Sequence, residues 1–241
     1  MDIYSYTSIL GVDEAGRGAL AGPVVAAGVW ASGAFFHSST HRDLTVGIND
    51  SKLLNEEKRE AYFKQIKALV KKDILAFTQA QEDVDSIETY NILGATKRAM
   101  ATCITTLKEQ VPARFFFTQN EPCDVFHFDE AKETSKTLII IDGKPLKFFP
   151  YKHQAIVQGD GKSLLIAMAS IIAKVARDQW MRTVHKQYPC YGFDRHKGYG
   201  TLEHLRAIDQ YGPCPIHRPS FLKKRLNPSN NTDQIELIFN N

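Results

Sequence analysis

Four acidic residues occupy positions where a carboxylate could do chemistry. Asp13 and Glu14 are adjacent and follow a short apolar run, Asp142 follows four apolar residues, and Asp160 lies in a Gly-Asp-Gly sequence. Carboxylates at the ends of several elements can form a hard oxygen site for Mg²⁺ or Mn²⁺. Two such ions about 3.5–4 Å apart can activate water and stabilise the leaving oxygen in phosphodiester hydrolysis. These four residues are therefore the candidate catalytic and metal-binding acids.

Each acid also has a structural interpretation when it is taken alone. An acidic pair before a turn is often a solvated strand end, Asp142 precedes a glycine as turn residues do, and Asp160 could complement a helix N-terminus. Asp178 is a rival for Asp160. If a helix runs between them, about 15 residues at 1.5 Å each separate the two by roughly 22 Å. One must be structural, and we assign that role to Asp178, with Arg182 four residues on as its partner.

Two glycine-rich segments resemble nucleotide-binding loops and fail on their spacing. Residues 161–163 read Gly-Lys-Ser, but such a phosphate loop needs glycine at position 156, which is Ile. In residues 16–22, the last glycine of a dinucleotide fingerprint falls one place late, and two carboxylates end the preceding strand. Nucleoside triphosphatase and dinucleotide-binding functions are therefore not supported.

The periodicity of apolar residues predicts an α/β fold that would position these acids. Strands are predicted at Ser8–Val12, Pro23–Trp30, Ile74–Thr78 and Leu138–Ile141, the first two as arms of a hairpin. Helices are predicted at Asn55–Lys72, Thr89–Gln110, Ser163–Lys186 and Thr201–Gln210. Residues 111–136 are aromatic and mixed and receive no assignment. The acids thus fall at or near the ends of predicted strands and before the third helix.

Composition and charge set limits on the class of protein. The 241 residues carry a net charge of +3, with seven Lys or Arg against two acids between Arg195 and Arg225. That run is a candidate phosphate-facing surface, although a charge run is usually a solvated face. The four cysteines lack C-x-x-C spacing, so no zinc or redox site is indicated. Without an export signal or a long apolar segment, a cytoplasmic protein with no membrane association is expected.

Taken together, the motifs resemble one known family, ribonuclease HII. GVDEAGRG at residues 11–18 and LAGPVV at 20–25 resemble its opening signature. Further matches are DSKL at 50–53, YNI at 90–92, IDG at 141–143, GD at 159–160, ASIIAKV at 169–175, RD at 177–178, YGF at 191–193, HKGYGT at 196–201, HL at 204–205, HR at 217–218 and SF at 220–221. The resemblance covers roughly residues 8–225 in order. Ala19, where the family usually has Pro, and the long segment 111–136 are departures.

The resemblance implies a role for particular residues. It implies that the metal-binding acids are Asp13, Glu14, Asp142 and Asp160, which together hold two Mg²⁺ or Mn²⁺ ions. It implies further that Gly16, Arg17 and Gly18 read the 2′-hydroxyl beside the cleaved bond, and that Lys52 contacts substrate. Tyr199 would sense the junction by stacking on a sugar, with its hydroxyl bonded to the Arg17 loop. Arg17 could also hold a neighbouring phosphate.

The resemblance also implies an architecture and an activity. The expected fold is ribonuclease H-like, a mixed sheet flanked by helices, with a catalytic domain at 1–188, a C-terminal helical substrate-binding region at 189–226 and a flexible tail at 227–241. The expected activity is metal-dependent cleavage of the RNA strand of RNA–DNA hybrids, and cleavage 5′ to ribonucleotides in duplex DNA, leaving 3′-hydroxyl and 5′-phosphate ends. Such an enzyme would serve DNA replication and repair, and we expect a monomer.

Two other classes of function remain open at this point. A metal-dependent phosphatase or an integrase-like transferase would share the carboxylates without needing a reader of the 2′-hydroxyl. A nucleic-acid-binding module without catalysis would not explain the acids. Duplex binding that survives chelation, without cleavage in Mg²⁺ or Mn²⁺, would favour the binding module.

Overall fold

The structure is a computed structural model that describes residues 6–38, 44, 48, 54–71, 74–111 and 137–226. The predictions made for Lys52, for residues 112–136 and for the tail at 227–241 lie outside these residues. Within the described chain, no helix is both long and apolar enough to cross a membrane. The division of the chain at residue 188 stays a prediction.

Five strands of the described chain form one mixed sheet. They are β1 (Ser8–Ala15), β2 (Val24–Ser32), β3 (Leu75–Glu82), β4 (Thr137–Asp142) and β5 (Gln154–Ile156). Their order across the sheet is β3-β2-β1-β4-β5. Strand β1 pairs antiparallel with β2, as the predicted hairpin requires, and parallel with β4. The predicted mixed sheet is confirmed, and only the three-residue β5, too short to show a period, was not foreseen.

Helices pack on both faces of this sheet. The described helices are α1 (Gly33–Phe36), α2 (Glu56–Ala68), α3 (Val84–Gln110), α4 (Leu164–His185), α5 (Phe193–His196), α6 (Leu202–Tyr211) and α7 (Pro219–Leu226). Strand β2 is buried along its whole length, because alternate residues face opposite layers. Val25, Val29 and their neighbours pack against α4, whereas Ala26 and Trp30 pack against α3.

The contact between β1 and α4 is unusually close at Gly11. A Cβ atom at this position would lie 2.6 Å from the backbone carbon of Leu165. Only glycine therefore allows the helix to rest directly on the strand that carries Asp13 and Glu14. This packing brings the helix side chains near those two acids.

Helix α3 begins earlier than the sequence indicated. The predicted start was Thr89, but the helix begins at Val84 behind Asp83, whose side chain accepts a hydrogen bond from Ser86 N–H at 2.9 Å. The backbone breaks at Asn91, which has φ 56° and ψ 170°. The Asn91 side chain then caps a second helical segment. The predicted start at Thr89 therefore lies close to this break, and the prediction missed the helical turns that precede it.

The C-terminal region is helical, as expected, and packs on the end of α4. Besides α5, α6 and α7 it contains a 3₁₀ turn at Pro189–Tyr191. Met181 and Val184 of α4 share a hydrophobic cluster with Tyr191, Phe193 and Ala207. Ala21, from the loop after β1, belongs to the same cluster. The C-terminal region therefore lies against the glycine-rich loop between β1 and β2.

Candidate active site

Asp13 and Glu14 lie near the C-terminal end of β1. The first strand was predicted to end at Val12, but it continues through both residues to Ala15. The Asp13 carboxylate bends back along its own strand, where its Oδ1 accepts a hydrogen bond from Glu14 N–H at 2.7 Å. Both acids thus remain in the sheet next to β4.

The third acid, Asp142, ends β4 beside this pair. Because β1 and β4 are parallel, with Val12 opposite Ile141, their C-terminal ends meet at one edge of the sheet. The Asp142 Oδ1 accepts a hydrogen bond from Gly159 N–H at 2.6 Å. This contact joins the end of β4 to the 3₁₀ turn Gly159–Gly161, which holds Asp160 directly before α4. Asp160 is buried there.

Electrostatics confirm that three of the acids are close neighbours. Burial raises the pKa of Asp13 well above its usual range, and the charges of Glu14 and Asp142 raise it further. Burial also raises the pKa of Glu14, against the opposing effect of Arg17, and Asp142 again contributes. Such mutual repulsion in a desolvated site is the condition that a bound cation relieves.

The donors fit a hard divalent cation, although they do not form a closed cage. Within the described residues, no group of three or more His, Cys, Asp or Glu side chains is gathered tightly enough to be a metal cluster. The four candidate acids offer only carboxylate oxygens, which Mg²⁺ and Mn²⁺ prefer. The site is therefore suited to ions that are held jointly by protein and substrate oxygens, as Mg²⁺ often is.

The Gly16–Gly18 loop follows β1 directly. Its two glycines differ in whether the surrounding protein leaves room for a side chain. Gly16 has φ +94°, and a Cβ there would lie 2.0 Å from Arg177 Nε, so the fold itself requires glycine. A Cβ at Gly18 would meet nothing within 4 Å. The second glycine is thus not explained by packing and leaves open space for a ligand.

Arg17 pairs with a candidate metal ligand rather than projecting freely. Its Nη1 lies 2.9 Å from Glu14 Oε1, while its side chain is 52% exposed. The expected phosphate contact would therefore require Arg17 to exchange partners. A cation bound by Glu14 would favour that exchange, because it would compete for the same carboxylate.

Two buried arginines hold the backbone between β1 and β2, a role that the sequence motifs containing them did not indicate. Arg177 of α4 donates to the carbonyls of Pro23, Ala21 and Lys197 at 2.9–3.0 Å. Arg218 donates to Gly22 O at 2.9 Å and to Arg17 O at 3.0 Å.

The buried arginines also correct the predicted phosphate-facing surface. Arg218 and Lys197 are buried, and Arg195 pairs with Glu203. Part of the basic run therefore serves the fold, because its charged groups bind protein carbonyls and a carboxylate.

Tyr199 lines the same cavity as Glu14. Its ring lies 5.4 Å from Lys174 Nζ and 5.2 Å from the Arg177 guanidinium carbon. Glu14, Gly16 and Tyr199 all line one open cavity of about 270 Å³. The expected bond from the Tyr199 hydroxyl to the Arg17 loop is absent among the described residues. The ring is held by two cations instead.

Asp178 is structural in its contacts, but the predicted partner is wrong. Its Oδ1 lies 2.8 Å from Lys174 Nζ and its Oδ2 lies 3.9 Å from Arg59 Nη2. Arg182 pairs instead with Glu56 and Glu60 of α2. The helix therefore places Asp178 over the preceding turn, where Lys174 and Arg59 reach it from the rim of the cavity.

Comparison with known proteins decides the family. A family model described as Ribonuclease HII matches residues 10–224. Ribonuclease HII of Caldanaerobacter subterraneus subsp. tengcongensis is 40% identical over 218 residues, which is 90% of this chain and 75% of that protein. Ribonuclease HII of Acetivibrio thermocellus is 42% identical over 219 residues, covering 90% and 71%. This chain belongs to the ribonuclease HII family. It is therefore a ribonuclease H, a hydrolase that acts as an endonuclease, and the predicted family is confirmed.

Solved structures support the ribonuclease H-like fold. The crystal structure of ribonuclease H2 from Pyrococcus horikoshii OT3 matches with a TM-score of 0.62 at 21% identity, covering 93% of this chain and 100% of that one. A ribonuclease HIII, Bst-RNase HIII, solved in complex with Mn²⁺, matches with a TM-score of 0.61 at 22% identity, covering 92% and 70%. At such identities the likeness concerns the fold alone.

Proposed function

We propose that this ribonuclease HII cuts the RNA strand of RNA–DNA hybrids and also cuts 5′ to single ribonucleotides in duplex DNA, leaving 3′-hydroxyl and 5′-phosphate ends. One observation carries the proposal: Glu14 of the acid pair, Gly16 at the start of the glycine loop and Tyr199 line one cavity. Acids alone would serve any phosphodiester. A loop that leaves space at Gly18 beside them supplies the means of distinguishing a ribose.

Asp13, Glu14, Asp142 and Asp160 would hold two divalent ions, Mg²⁺ or Mn²⁺. When bound, these ions would activate the attacking water and stabilise the leaving oxygen. Asp13 and Glu14 support this assignment, because burial and the neighbouring acids raise the pKa of both carboxyl groups. The hydrogen bond from Gly159 to Asp142 orients one carboxylate and leaves its other oxygen available.

Recognition of the ribose would rest on the Gly16–Gly18 loop. A 2′-hydroxyl is both donor and acceptor, so reading it requires fixed polar groups close to that oxygen. Arg218 fixes the carbonyl of Arg17 in this loop, and Arg177 fixes that of Ala21 farther toward β2. The missing side chain at Gly18 allows the backbone to approach the sugar. Arg17 would leave Glu14 for a phosphate, and Lys52 would add a further substrate contact.

Tyr199 would stack on the sugar that follows the ribonucleotide. Its contacts with Lys174 and Arg177 hold the ring at the wall of the cavity that Glu14 also lines. Residues 189–226 would thus contribute substrate binding, while residues 1–188 would supply the acids. We also propose that the protein acts as a monomer, because the acids, the loop and Tyr199 all come from one chain.

One assay tests this function. The protein is incubated in Mg²⁺ or Mn²⁺ with a DNA duplex that holds one ribonucleotide, and the cut is mapped to the nucleotide. We expect a single cut 5′ to the ribonucleotide and none in the all-DNA duplex. Cutting of the all-DNA duplex as well would contradict the proposed specificity. So would a protein that cuts an RNA–DNA hybrid but neither of these duplexes.

Tyr199→Ala provides the second arm. Aromatic stacking in nucleic-acid binding is worth about 1–3 kcal/mol, which corresponds to roughly fivefold to 150-fold in rate. Cleavage at a single ribonucleotide should fall by that factor while the fold is retained. Tyr211→Ala, an exposed tyrosine on α6, is the control and should be neutral. Unchanged cutting by folded Tyr199→Ala would remove Tyr199 from the site.

A further inference from the structure

Three buried histidines in the C-terminal region have no part in the mechanism above. His196, His204 and His217 are 9%, 0% and 2% exposed. The rings of His196 and His204 stack with centroids 4.4 Å apart, and those of His204 and His217 lie 5.1 Å apart. They come from three separate segments around α5 and α6, so their meeting is a product of the fold.

The hydrogen bonds of His217 and His204 run in series, and the Tyr199 carbonyl fixes the direction. Tyr199 O can only accept, so His204 Nδ1 must donate across 2.9 Å. The Nε2 atoms of the two rings are 3.0 Å apart. When both rings are neutral, the proton therefore lies on Nδ1 of His204 and on Nε2 of His217. The remaining nitrogen, His217 Nδ1, then accepts from Cys214 N–H at 2.9 Å, and it also lies 3.2 Å from Cys214 O and Sγ.

The series ends on the backbone of Tyr199. Its carbonyl accepts from His204 and also from Thr201 N–H at 2.8 Å, and its own N–H donates to His196 O at 3.0 Å. His196 supports the preceding residue, since its Nδ1 accepts from Gly198 N–H at 3.2 Å. The main chain on both sides of the tyrosine is therefore held by imidazole rings. The ring of Tyr199 is set against the cavity by this main chain.

Protonation of His204 would break the series, because a proton on its Nε2 would point at the N–H of His217. Burial lowers the pKa of His204 to about 4 and lowers that of His217 as well. The charged or titratable groups that face the cluster are Tyr191, Asp194, Arg195, Glu203, Cys190 and Cys214. The neutral pair is thus the state that the fold selects at neutral pH.

We infer that His204 and His217 are positioning residues for cleavage at a single ribonucleotide, because their neutral, direction-fixed hydrogen bonds hold the backbone that aims Tyr199 at the substrate. This inference rests on the proposed role of Tyr199. The two residues touch neither substrate nor the acids. They act through one carbonyl oxygen.

Two substitutions at His204 separate positioning from packing. His204→Asn keeps a side-chain N–H donor near the place of Nδ1, whereas His204→Phe keeps the ring volume and loses the donor. We expect His204→Phe to lower kcat/KM at a single ribonucleotide about tenfold or more, since a misplacement of 1 Å can cost about a hundredfold. His204→Asn should recover most of this loss. Cleavage of a long RNA–DNA hybrid should fall much less in both variants, and His185→Phe is the matched control.

The double variant His204→Phe/Tyr199→Ala distinguishes the positioning role of the histidines from the role of Tyr199 itself. If the histidines act through the tyrosine, His204→Phe should have almost no further effect in the Tyr199→Ala background. If Tyr199→Ala lowers cleavage but a folded His204→Phe protein is fully active, the positioning role of the histidines is overturned and the proposed function stands. An ineffective Tyr199→Ala would instead overturn the role of Tyr199 and the inference with it.

A measurement on the wild-type protein keeps the inference testable if the variants do not fold. Nitrogen-15 NMR of histidine-labelled protein at pH 7 reports which ring nitrogen carries the proton. We expect a neutral Nδ1–H form for His204 and a neutral Nε2–H form for His217. The opposite tautomer at His204, or a charged ring at either position, would overturn the proposed series of hydrogen bonds.

Discussion

At the scale of single residues, the acid cluster combines burial with mutual repulsion. Asp142, at the end of β4, raises the pKa of both Asp13 and Glu14 on the neighbouring strand β1 through charge repulsion. Asp142→Asn removes that charge but keeps an oxygen that can accept the bond from Gly159. The fold should therefore persist while a metal ligand is lost.

We expect Asp142→Asn to lower cleavage of a hybrid by about a hundredfold or more, because Lewis-acid stabilisation by a bound metal is worth several kcal/mol. Hybrid binding, measured in chelator, should stay close to wild type. Multiple-turnover kinetics at low millimolar Mg²⁺ provide the measurement. Wild-type turnover in this variant would exclude Asp142 from the metal site.

The two glycines of the Gly16–Gly18 loop predict opposite phenotypes. Gly16→Ala should unfold at lower temperature, with about 1–3 kcal/mol of strain, because its φ is +94° and Arg177 occupies the space. Gly18→Ala should keep wild-type stability, since its Cβ meets no protein atom within 4 Å. We expect it to lower cleavage at a ribonucleotide about tenfold, the cost of losing a hydrogen bond of about 1.5 kcal/mol.

Thermal unfolding and single-ribonucleotide cleavage, measured on both glycine variants, check this pair of predictions. Each variant serves as the control for the other. A fully active Gly18→Ala would show that the open space beside Gly18 does not receive the sugar.

At the scale of elements, α4 joins the active site to the rest of the fold. It lies on β1 through Gly11, sends Arg177 into the glycine-rich loop and carries Lys174 under Tyr199. Asp178 ties this helix to α2 through Arg59 and braces Lys174. A single helix thus sets the distance between the cavity wall and the acids.

Asp178→Asn should affect stability more than chemistry. Its carboxylate is 5% exposed, so losing charged hydrogen bonds there should cost about 2 kcal/mol of the free energy of unfolding. Glu60→Gln, which weakens an exposed pair between the same two helices, should cost less than about 1 kcal/mol. Denaturant unfolding with parallel kinetics tests both. A stable Asp178→Asn protein with lost turnover would mean that the wrong acid was assigned to the site.

At the scale of the whole molecule, the charged active site lowers the free energy of unfolding at neutral pH. The folded pKa of Asp13 lies above its usual 3.8, so the folded chain holds this proton more tightly than the unfolded chain. The resulting stabilisation is present below about pH 3.8 and is lost as the pH rises through the folded pKa. At neutral pH, the Asp13 charge therefore destabilises the protein in the absence of a cation.

Asp13→Asn should accordingly raise the melting temperature at pH 7 in chelator and abolish cleavage. Added Mg²⁺ should raise the melting temperature of the wild type, since a ligand that binds only the folded state stabilises it, and should have a smaller effect on the variant. Glu109→Gln, an exposed acid on α3, serves as control and should leave both values unchanged. A wild type that Mg²⁺ does not stabilise would argue against a cation held by these acids.

The sequence by itself determined the order of elements and the family. Apolar periodicity located β1, β2, α2, α4 and α6 to within a few residues, because those elements bury a regular face. The GVDEAGRG signature and the later motifs identified the family without any distance, since they are local and collinear.

Only the tertiary structure decided which side chains meet. Arg218 and Lys197 belonged to a basic run that predicted a surface, yet both are buried, and their charged groups donate to the backbone carbonyls of Arg17 and Asp194. The partner of Asp178 was predicted four residues on, at Arg182, whereas its ion pairs are with Lys174, four residues earlier on the same helix, and with Arg59, which the approach of α2 to α4 supplies. Contacts between residues more than a hundred positions apart leave no periodic signal in a single sequence. They depend on how the helices pack against the sheet, and that packing brings the cavity, the buried arginines and the histidine pair together.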